Sequence, residues 1–368
     1  MAREGAFMLC HCPEHGAERS SDDFPVGVVI PLRGPAGIFG PSCEAVTETA
    51  LDHINASGGL LGRRVRPVVI DGGRPVREIA AQVGALVRSG EIHAVTGWHI
   101  SQVRQHLVPV VRGHVPYVYT SLYEGGENSS GVFCSGETPP DQIAPAMRWM
   151  RDEQGTRDLF VVGDDYVWPR STSRSVRAYA RELGMRVVGE SFVELGTEDF
   201  GPTLERVRGS GADTVLMLLV GQDAVAFNRL FAARGLHEHV RRLTPLMEEN
   251  MLLGSGADCT ANLFVAAAYF RSLPTESALD LSGAYTRMHG PEAPPLNNMA
   301  ESCYEGLMAL GALVRRAGTT RPEHLSRVGD SVGYDGPRGP MQLRSGNIHQ
   351  RVYIARAEGL GFEILARL

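Results

Sequence analysis

The sequence predicts an α/β protein of two successive lobes, each a parallel sheet flanked by helices. Apolar strands alternate with amphipathic helices from Phe24 onward, and this alternation restarts after residues 136–140. Strands that are apolar along their whole length are typical of parallel sheets covered on both faces. The chain has 368 residues, which is long enough for two domains of ordinary size.

The first lobe begins with the apolar strand 26–32, VGVVIPL, which a Gly- and Pro-rich loop follows. The helix predicted over 43–54 carries Val46, Ala50 and Ile54 on one face. It ends at the run Asn-Ala-Ser-Gly-Gly of residues 55–59, where glycine suits a left-handed helix cap. The other predicted elements of this lobe are strands 65–71, 92–97 and 116–120 and helices 76–89 and 101–112.

The second lobe repeats the alternation. Its predicted elements are helices 141–153, 169–183, 202–209 and 223–234 and strands 158–164, 186–191, 214–220, 242–246 and 262–270. Two further amphipathic helices, 274–288 and 298–316, indicate that the chain returns to the first lobe near 265–270. The last 30 residues are predicted to end in a hairpin that turns at Gly359-Leu360-Gly361.

These segments predict three passages between the lobes, the third at residues 336–340, and therefore a hinge with a cleft beside it. The predicted organisation is a leader at 1–23, a first lobe of 24–136 plus 268–337, and a second lobe of 137–267 plus 338–368.

Composition excludes several classes of function. Net charge is −6 and the basic residues are not clustered, so no nucleic acid is expected as a partner. All 36 basic residues are arginine, which rules out a lysine Schiff base and a phosphate-loop lysine. No apolar run is long enough to cross a membrane. We expect no enzyme and no cofactor; a hydrolase using Cys134, or Ser101 with His99, is the remaining enzymatic alternative.

The N-terminal segment predicts a polar, disordered leader rather than an export signal. Its longest apolar run, Ala6 to Cys10, is shorter than a signal peptide requires. The six cysteines contain no recurring CxxC pair and fit a reducing compartment, so the sequence predicts a cytoplasmic protein. Cys10, His11, Cys12 and His15 lack a second ligand pair at zinc spacing, and a metal site is not expected.

Polar and aromatic side chains follow the predicted strands at their carboxyl ends, where open α/β sheets bind ligands. Ser101 opens a helix, so its hydroxyl and backbone N–H are both available, although a plain helix N-cap is an equal alternative. The remaining candidates are Tyr119 and Ser121 in the first lobe, and Tyr166, Trp168, Gln222 and Tyr269 after later strands.

The run NASGGLLGRRVRPVVIDGG, residues 55–73, resembles the helix–turn–strand signature of type I periplasmic-binding-protein domains. Proteins of that fold have two lobes joined by three crossovers and close on a small ligand. Residues 119–125, 163–170, 268–270 and 347–349 more specifically resemble the short-chain-amide sensors of aliphatic amidase operons and their urea- and amide-binding transport relatives. The resemblance covers about residues 24–368.

The resemblance implies that Ser101, Tyr119, Ser121 and Tyr166 hold a small amide. Hydroxyl groups suit an uncharged amide because each can donate and accept a hydrogen bond. The pocket departs from the family at four places. His99 and Trp168 stand where the family has tyrosines, Ser121 replaces a threonine, and Leu122 replaces a proline. We therefore expect altered pocket walls and a changed ligand preference.

The resemblance implies a cytoplasmic sensor of a small amide or urea-like ligand that regulates an amide- or nitrile-degrading operon through an antiterminator-type regulator protein. It could form a homo-oligomer. The alternative is the substrate-binding subunit of an ABC transporter for amides, urea or branched-chain amino acids. Glu137 and Glu248 keep amino acids open as ligands, because an ammonium group needs an acid.

Overall fold

The computed structural model of the protein describes residues 23–368, so the predicted leader and its Cys and His residues lie outside the described part of the chain. The strands are β1 (Asp23–Ile30), β2 (Arg64–Asp71), β3 (Ala94–Gly97), β4 (Tyr117–Tyr119), β5 (Val132–Cys134), β6 (Asp158–Asp164), β7 (Arg186–Val193), β8 (Thr214–Leu218), β9 (Arg241–Thr244), β10 (Leu263–Ala267), β11 (Gly333–Gly336), β12 (Gly339–Arg344), β13 (Asn347–His349), β14 (Tyr353–Glu358) and β15 (Gly361–Arg367).

The helices are α1 (Gly40–Ala56), α2 (Val76–Arg88), α3 (Ser101–Val111), α4 (Pro139–Gln154), α5 (Val167–Glu182), α6 (Gly201–Ser210), α7 (Gln222–Ala233), α8 (Glu249–Ser255), α9 (Glu276–His289), α10 (Asn298–Ala317) and α11 (Pro322–Val328). A short 3-10 helix, Pro35–Phe39, leads into α1.

Two sheets confirm the predicted two-lobed α/β architecture. The first has the order β11-β12-β13-β5-β4-β3-β1-β2 and the second the order β15-β14-β10-β9-β8-β6-β7. Strands β1 to β5 pair in parallel, as do β6 to β10. The central strand β1 is buried from Phe24 to Ile30. Val28 and Val29 pack into different apolar clusters because successive side chains point to opposite faces of the sheet.

The chain passes between the lobes at residues 135–138, 268–275 and 350–352. The predicted third passage at 336–340 is wrong. Residues Pro337-Arg338 form the two-residue turn between β11 and β12, in which Gly336 pairs with Gly339. The glycines and prolines that suggested a passage make a hairpin turn instead. The first lobe therefore keeps residues up to His349, and the second resumes with β14 rather than at 338.

A buried polar network joins the three passages. In the first, the Glu137 carboxylate accepts a 2.8 Å hydrogen bond from the backbone N–H of Ala268 in the second. In the third, Gln350 donates to the Ser135 carbonyl at 2.9 Å and accepts from Arg338 at 2.8 Å. The Arg338 guanidinium also lies 4.0 Å from Glu137. Hydrogen bonds between separate passages couple the hinge segments to one another.

Two further carboxylates near Arg338, Glu301 and Glu305, come from α10. Arg338 pairs with Glu301, and both side chains have no exposed surface. The Tyr334 hydroxyl donates to Glu305 at 2.7 Å. Burial raises the pKa of both carboxyls; the Arg338 charge opposes that rise. The Arg338 guanidinium is therefore a buried charge beside the hinge, and the Pro337-Arg338 turn holds it next to its carboxylate partners.

The lobes also contact each other on both sides of the cleft. The 3-10 helix of the first lobe contacts α7 and α8, and α3 contacts α5. Gly221, the residue before α7, has φ +54°, and a Cβ atom there would lie 2.1 Å from the Pro35 carbonyl oxygen. Only glycine allows this approach, because a side chain would be both strained and in collision. The structure therefore has its lobes closed.

Candidate functional site

The amino end of α3 brings the Ser101 hydroxyl into the cleft. Ile100 is extended and serves as the N-cap, so Ser101 is the first helical residue and makes no side-chain cap hydrogen bond. Its Oγ lies 3.4 Å from the Tyr119 hydroxyl at the end of β4. Both side chains are buried. The two hydroxyls form a pair that can donate or accept, and the early N–H groups of α3 lie beside them.

Ser121 is engaged within the first lobe rather than free for a ligand. Its hydroxyl donates to the His99 carbonyl at 2.7 Å and accepts from the His99 N–H at 3.0 Å. These two bonds join the loop after β3 to the loop after β4. Ser121 thereby positions the turn that presents Ser101.

The His99 ring also makes its contacts inside the first lobe. Nδ1 lies 3.0 Å from the Val29 carbonyl and Nε2 lies 2.5 Å from the Tyr117 hydroxyl. The carbonyl can only accept, so Nδ1 carries the proton and Nε2 accepts from the tyrosine. Burial lowers the pKa of His99 to about 4, which the Val29 bond opposes and the Arg104 charge assists. The ring is neutral and has no nitrogen left for a ligand.

An ion-pair cluster behind Tyr119 was missed by the sequence reasoning. Arg104 is nearly fully buried, and its Cζ lies 5.4 Å from the Tyr119 ring centre and 4.9 Å from that of Tyr123. It pairs with Glu124 at 2.6 Å and with Glu127 at 2.5 Å. The spacing contained a signal, because Arg104 lies one helical turn after Ser101 on the same face.

The second lobe contributes two aromatic residues. Tyr166 is the extended N-cap residue of α5 and is half-buried, and its ring centre lies 6.2 Å from that of buried Trp168. Burial raises the pKa of Tyr166 well above its usual value, with further contributions from Asp164, Tyr119 and Glu124. Tyr119 and Glu124 belong to the first lobe, whose helix α3 contacts α5.

The other expected site residues occupy different surroundings. Leu122 is buried in the apolar cluster that runs between the lobes. Gln222, the first residue of α7, is exposed beside Gly221. Tyr269 follows β10 in the second passage and is buried, and its hydroxyl has no hydrogen-bond partner within residues 23–368. Tyr269 therefore lies with the hinge network, whereas Ser101 and Tyr119 pair in the first lobe and Tyr166 packs beside Trp168 in the second.

The two acids that kept an amino-acid ligand open both have structural partners. Glu248 accepts from the backbone N–H groups of Asn250 and Met251 and caps α8. Glu137 accepts from Ala268 in the hinge. Both Glu248 oxygens are therefore engaged as a helix cap, whereas the hinge bond to Ala268 uses only Oε1 of Glu137.

An open cavity of about 460 Å³ lies at the mouth of the cleft. Pro35, Gly72 and Gln102 of the first lobe and Leu195 of the second are among the residues that line it. It lies beside the amino end of α3, where His99, Ile100 and Gln102 line it, whereas Ser101, Tyr119 and Tyr166 do not. Among residues 23–368, no group of His, Cys, Asp and Glu side chains is arranged to hold a metal ion. No helix in that part of the chain is long and apolar enough to span a membrane.

Comparison with known proteins identifies the family to which this chain belongs. The sequence pattern of a family described as periplasmic binding protein matches residues 23–361. The chain belongs to this family. Periplasmic binding proteins are ligand-binding proteins, and the relatives described below are binding proteins rather than enzymes, in agreement with the sequence prediction.

Curated relatives of this periplasmic binding protein are distant. Leu/Ile/Val-binding protein homolog 4 of Brucella abortus (strain 2308) is 21% identical over 289 residues, which are 74% of this chain and 68% of the relative. An amino acid binding protein of Pseudomonas aeruginosa is 23% identical over 200 residues, which are 52% of this chain and 53% of the relative.

Solved structures share the fold over almost the whole length. The ABC-transporter solute binding protein of Rhodopseudomonas palustris HaA2 in complex with p-hydroxybenzoic acid has a TM-score of 0.85 and 18% identity, covering 94% of this chain and 97% of that one. The branched-chain amino acid transporter substrate binding protein LivJ of Streptococcus pneumoniae in complex with isoleucine has a TM-score of 0.81 and 16% identity, covering 94% and 98%. At these identities the likeness establishes the fold.

Proposed function

We propose that the protein captures a small organic solute between its lobes and delivers it to the membrane components of an ABC importer. The observation that carries this proposal is the pair of buried hydroxyl groups, Ser101 and Tyr119, at the amino end of α3, the first-lobe helix that contacts α5 of the second lobe. Three passages joined by hydrogen bonds provide the hinge about which the cleft between the lobes opens and closes. Support comes also from relatives that carry solutes for transporters.

The proposed solute is a short-chain amide or a urea-like compound. Hydroxyl groups can meet both the carbonyl and the N–H groups of such a solute. Arg104, the cation beside Tyr119, is already paired with two carboxylates. The two arginines that line the cavity are paired as well, Arg33 with Asp71 and Arg74 with Glu78. A carboxylate solute would therefore enter without a free counter-charge, which is costly in a buried site.

The melting temperature with added solutes tests this proposal. A panel of propionamide, acetamide, urea, leucine and 4-hydroxybenzoate separates the solute classes, because a ligand that binds the folded state raises its stability. We expect a rise with the amides and urea, and transport of the same compounds should fall in cells of the source organism that lack this chain. A protein that responds to no compound of the panel contradicts the proposal.

The second candidate function is an amide sensor in the cytoplasm that holds or releases an antiterminator-type regulator. Support for it comes from the segments that resemble such sensors: Tyr119 of one segment pairs with Ser101 of α3, and the other segment enters α5, which contacts α3. A sensor must bind its ligand more tightly in one lobe arrangement than in the other. Separation of periplasm from cytoplasm, followed by detection of the chain, distinguishes the two functions. Recovery from the periplasm contradicts the sensor.

A further inference from the structure

Two carboxyl groups of the second lobe, Asp164 and Asp223, are buried together without a cation. Asp164 ends β6 and Asp223 lies in the first turn of α7; their side chains are 0% and 2% exposed. The two carboxyls lie within hydrogen-bond reach of each other, and no arginine or histidine within residues 23–368 pairs with either of them. Their charges are therefore not compensated by the protein.

The hydrogen bonds of the pair leave one carboxyl oxygen without a donor. Asp164 Oδ2 accepts from the Val220 N–H at 2.8 Å, and Asp223 Oδ2 accepts from the Gly196 N–H at 2.7 Å. The Val220 carbonyl accepts from the Asp223 N–H at 3.1 Å, so Val220 joins the two acids. Asp164 Oδ1 is buried and has no partner in the described part of the chain. A proton on Asp223 supplies the missing donor and removes the repulsion between two buried negative charges.

The acid pair supports the surface by which the second lobe meets the first. Gly221 follows Val220 directly, and it approaches the Pro35 carbonyl of the first lobe so closely that a Cβ atom would collide. Leu195 precedes Gly196 and lines the cavity that both lobes share. The bonds from the acid pair to Val220 and Gly196 therefore fix the residues next to both contacts.

We propose that Asp164 and Asp223 share one proton and that this proton positions the second-lobe surface that closes on the first lobe. The inference rests on the proposed solute-capture function and adds two positioning residues to it. When the proton leaves, two like charges face each other in a buried site and push apart. The segments that carry Leu195 and Gly221 then lose their common support, and the closed arrangement becomes less favourable.

The direction of the pH effect follows from the pKa shifts. Burial raises the pKa of Asp164 well above its usual value, with a further rise from the Asp223 charge, and burial also raises the pKa of Asp223. The folded protein keeps the proton at pH values where the unfolded chain has lost it, so this contribution to stability falls as the pH rises above about 4. Closure is linked to the same proton, so solute affinity should fall as the pH rises.

Other titratable groups lie near the pair. Tyr166, at the start of α5, stays neutral because burial raises its pKa well above the usual value. Glu194, before Leu195, is exposed. Burial raises the pKa of Glu249 to about 7, and its helix α8 packs against α7, so Glu249 titrates in the same range. The 3-10 helix Pro35–Phe39, which contacts α7, carries no titratable side chain. The test must therefore separate the acid pair from Glu249.

The test compares Asp164→Asn with Asp165→Asn in the full chain. An asparagine at 164 keeps an oxygen for the Val220 N–H and gives Asp223 a permanent donor, so it imitates the protonated pair. Asp165 is the next residue, but its side chain is 48% exposed and pairs with Arg170. Glu249 is unchanged in both variants. Asp223→Asn offers the same donor from the other side and replaces Asp164→Asn if that variant does not fold, which the melting temperature shows.

The infrared spectrum at pH 7 and the affinity for propionamide from pH 5 to pH 9 are the two measurements. We expect the spectrum of the wild type minus that of Asp164→Asn to contain the carbonyl band of one neutral carboxylic acid. We expect the wild type and Asp165→Asn to lose at least threefold more affinity over this pH range than Asp164→Asn loses.

Two results overturn the inference while the capture function stands: a difference spectrum without a neutral acid band, or the same pH dependence of affinity in the wild type and Asp164→Asn. A wild-type protein that binds no compound of the panel contradicts the capture function, and the link between the proton and closure fails with it. In that case the infrared spectrum alone decides whether the two acids share a proton.

Discussion

The Glu137 carboxylate accepts a hydrogen bond from the Ala268 backbone and so joins the first passage between the lobes to the second. Arg338 lies 4.0 Å from the same carboxylate and donates to Gln350 in the third passage. The arginine belongs to a hairpin turn of the first lobe, yet it has no exposed surface. The hinge is therefore assembled around one buried charge that comes from outside the passages.

Replacement of Arg338 by methionine should strongly destabilise the protein. The change leaves Glu301 and Glu137 buried without their cation, and breaking a buried ion pair costs about 3–5 kcal/mol. Urea denaturation measures the loss. The matched control is Arg170→Ala, which breaks an exposed pair with Asp165 worth at most about 1 kcal/mol. If both variants lose a similar free energy of unfolding, the buried Arg338 charge stabilises the protein no more than an exposed ion pair does.

Replacement of Ser101 by alanine should weaken solute binding at least tenfold with little change in stability. The hydroxyl makes no helix-cap bond and has only the long 3.4 Å contact with Tyr119, so its loss removes the proposed ligand contact at little structural cost. Titration of the responding solute measures the effect. Ser173→Ala is the control: this serine is also buried, but it donates to Glu190 in the second lobe. Unchanged binding by Ser101→Ala contradicts our placement of the site.

His99 should stay neutral through the range in which histidine ordinarily titrates. Its pKa is lowered to about 4, against about 6.5 in the unfolded chain. Between these values the unfolded state binds more protons, so stability falls as pH drops from about 6.5 toward 4. The loss from pH 6.5 to pH 5 amounts to about 2 kcal/mol for this group.

The NMR shift of the His99 ring followed against pH gives the titration directly, and His99→Asn should flatten the acid slope of stability. A midpoint near 6.5 would contradict the assignment of both ring nitrogens. Solute affinity should not change between pH 5.5 and 7.5 through this residue, in contrast to a histidine that contacts the ligand.

Replacement of Gly221 by alanine should hinder closure of the lobes. The new Cβ would lie 2.1 Å from the Pro35 carbonyl oxygen of the opposite lobe, so the closed state becomes less favourable and the apparent solute affinity falls with it. Gly211→Ala is a close control, since Gly211 also has a left-handed φ, of +70°, and has nothing within 4 Å. Small-angle scattering should show a more open Gly221→Ala protein. If Gly221→Ala and Gly211→Ala change the scattering and the solute affinity equally, the effect comes from backbone strain at a left-handed residue and not from a collision between the lobes.

Apolar strands and helix periodicity were sufficient to predict most elements of both sheets, because burial on two faces leaves a continuous apolar run. The short strand β5 and the antiparallel strands β11 to β13 were missed. β5 has only three residues, β11 to β13 are partly exposed, and β11 and β12 are interrupted by glycine and proline. The pairing of β13 with β5 joins segments that lie far apart in the chain. The Gly336–Pro340 segment suggested a passage because glycine and proline interrupt strands, and whether they form a turn or a crossing depends on tertiary pairing.

The carboxyl ends of the strands predicted that Ser101 and Tyr119 lie together, because parallel strands end at one edge, and the two hydroxyls do pair. Their role in binding a ligand stays a prediction. The partners of His99 and Ser121 are backbone carbonyl and N–H groups together with a distant tyrosine, and sequence spacing does not indicate such contacts. The pairing of Arg104 with both Glu124 and Glu127 likewise depends on loops that only the fold brings together.

The two hydrogen bonds between Ser121 and the His99 backbone have a kinetic consequence. They fix the turn that carries Ser101 through contacts of the first lobe alone. That half of the site is complete before the second lobe arrives, so an incoming solute meets an ordered surface and little conformational entropy is lost on contact. We therefore expect the solute to bind the first lobe before the lobes close. Diffusion to the first lobe then sets the association rate, and the rate at which the lobes open sets the residence time.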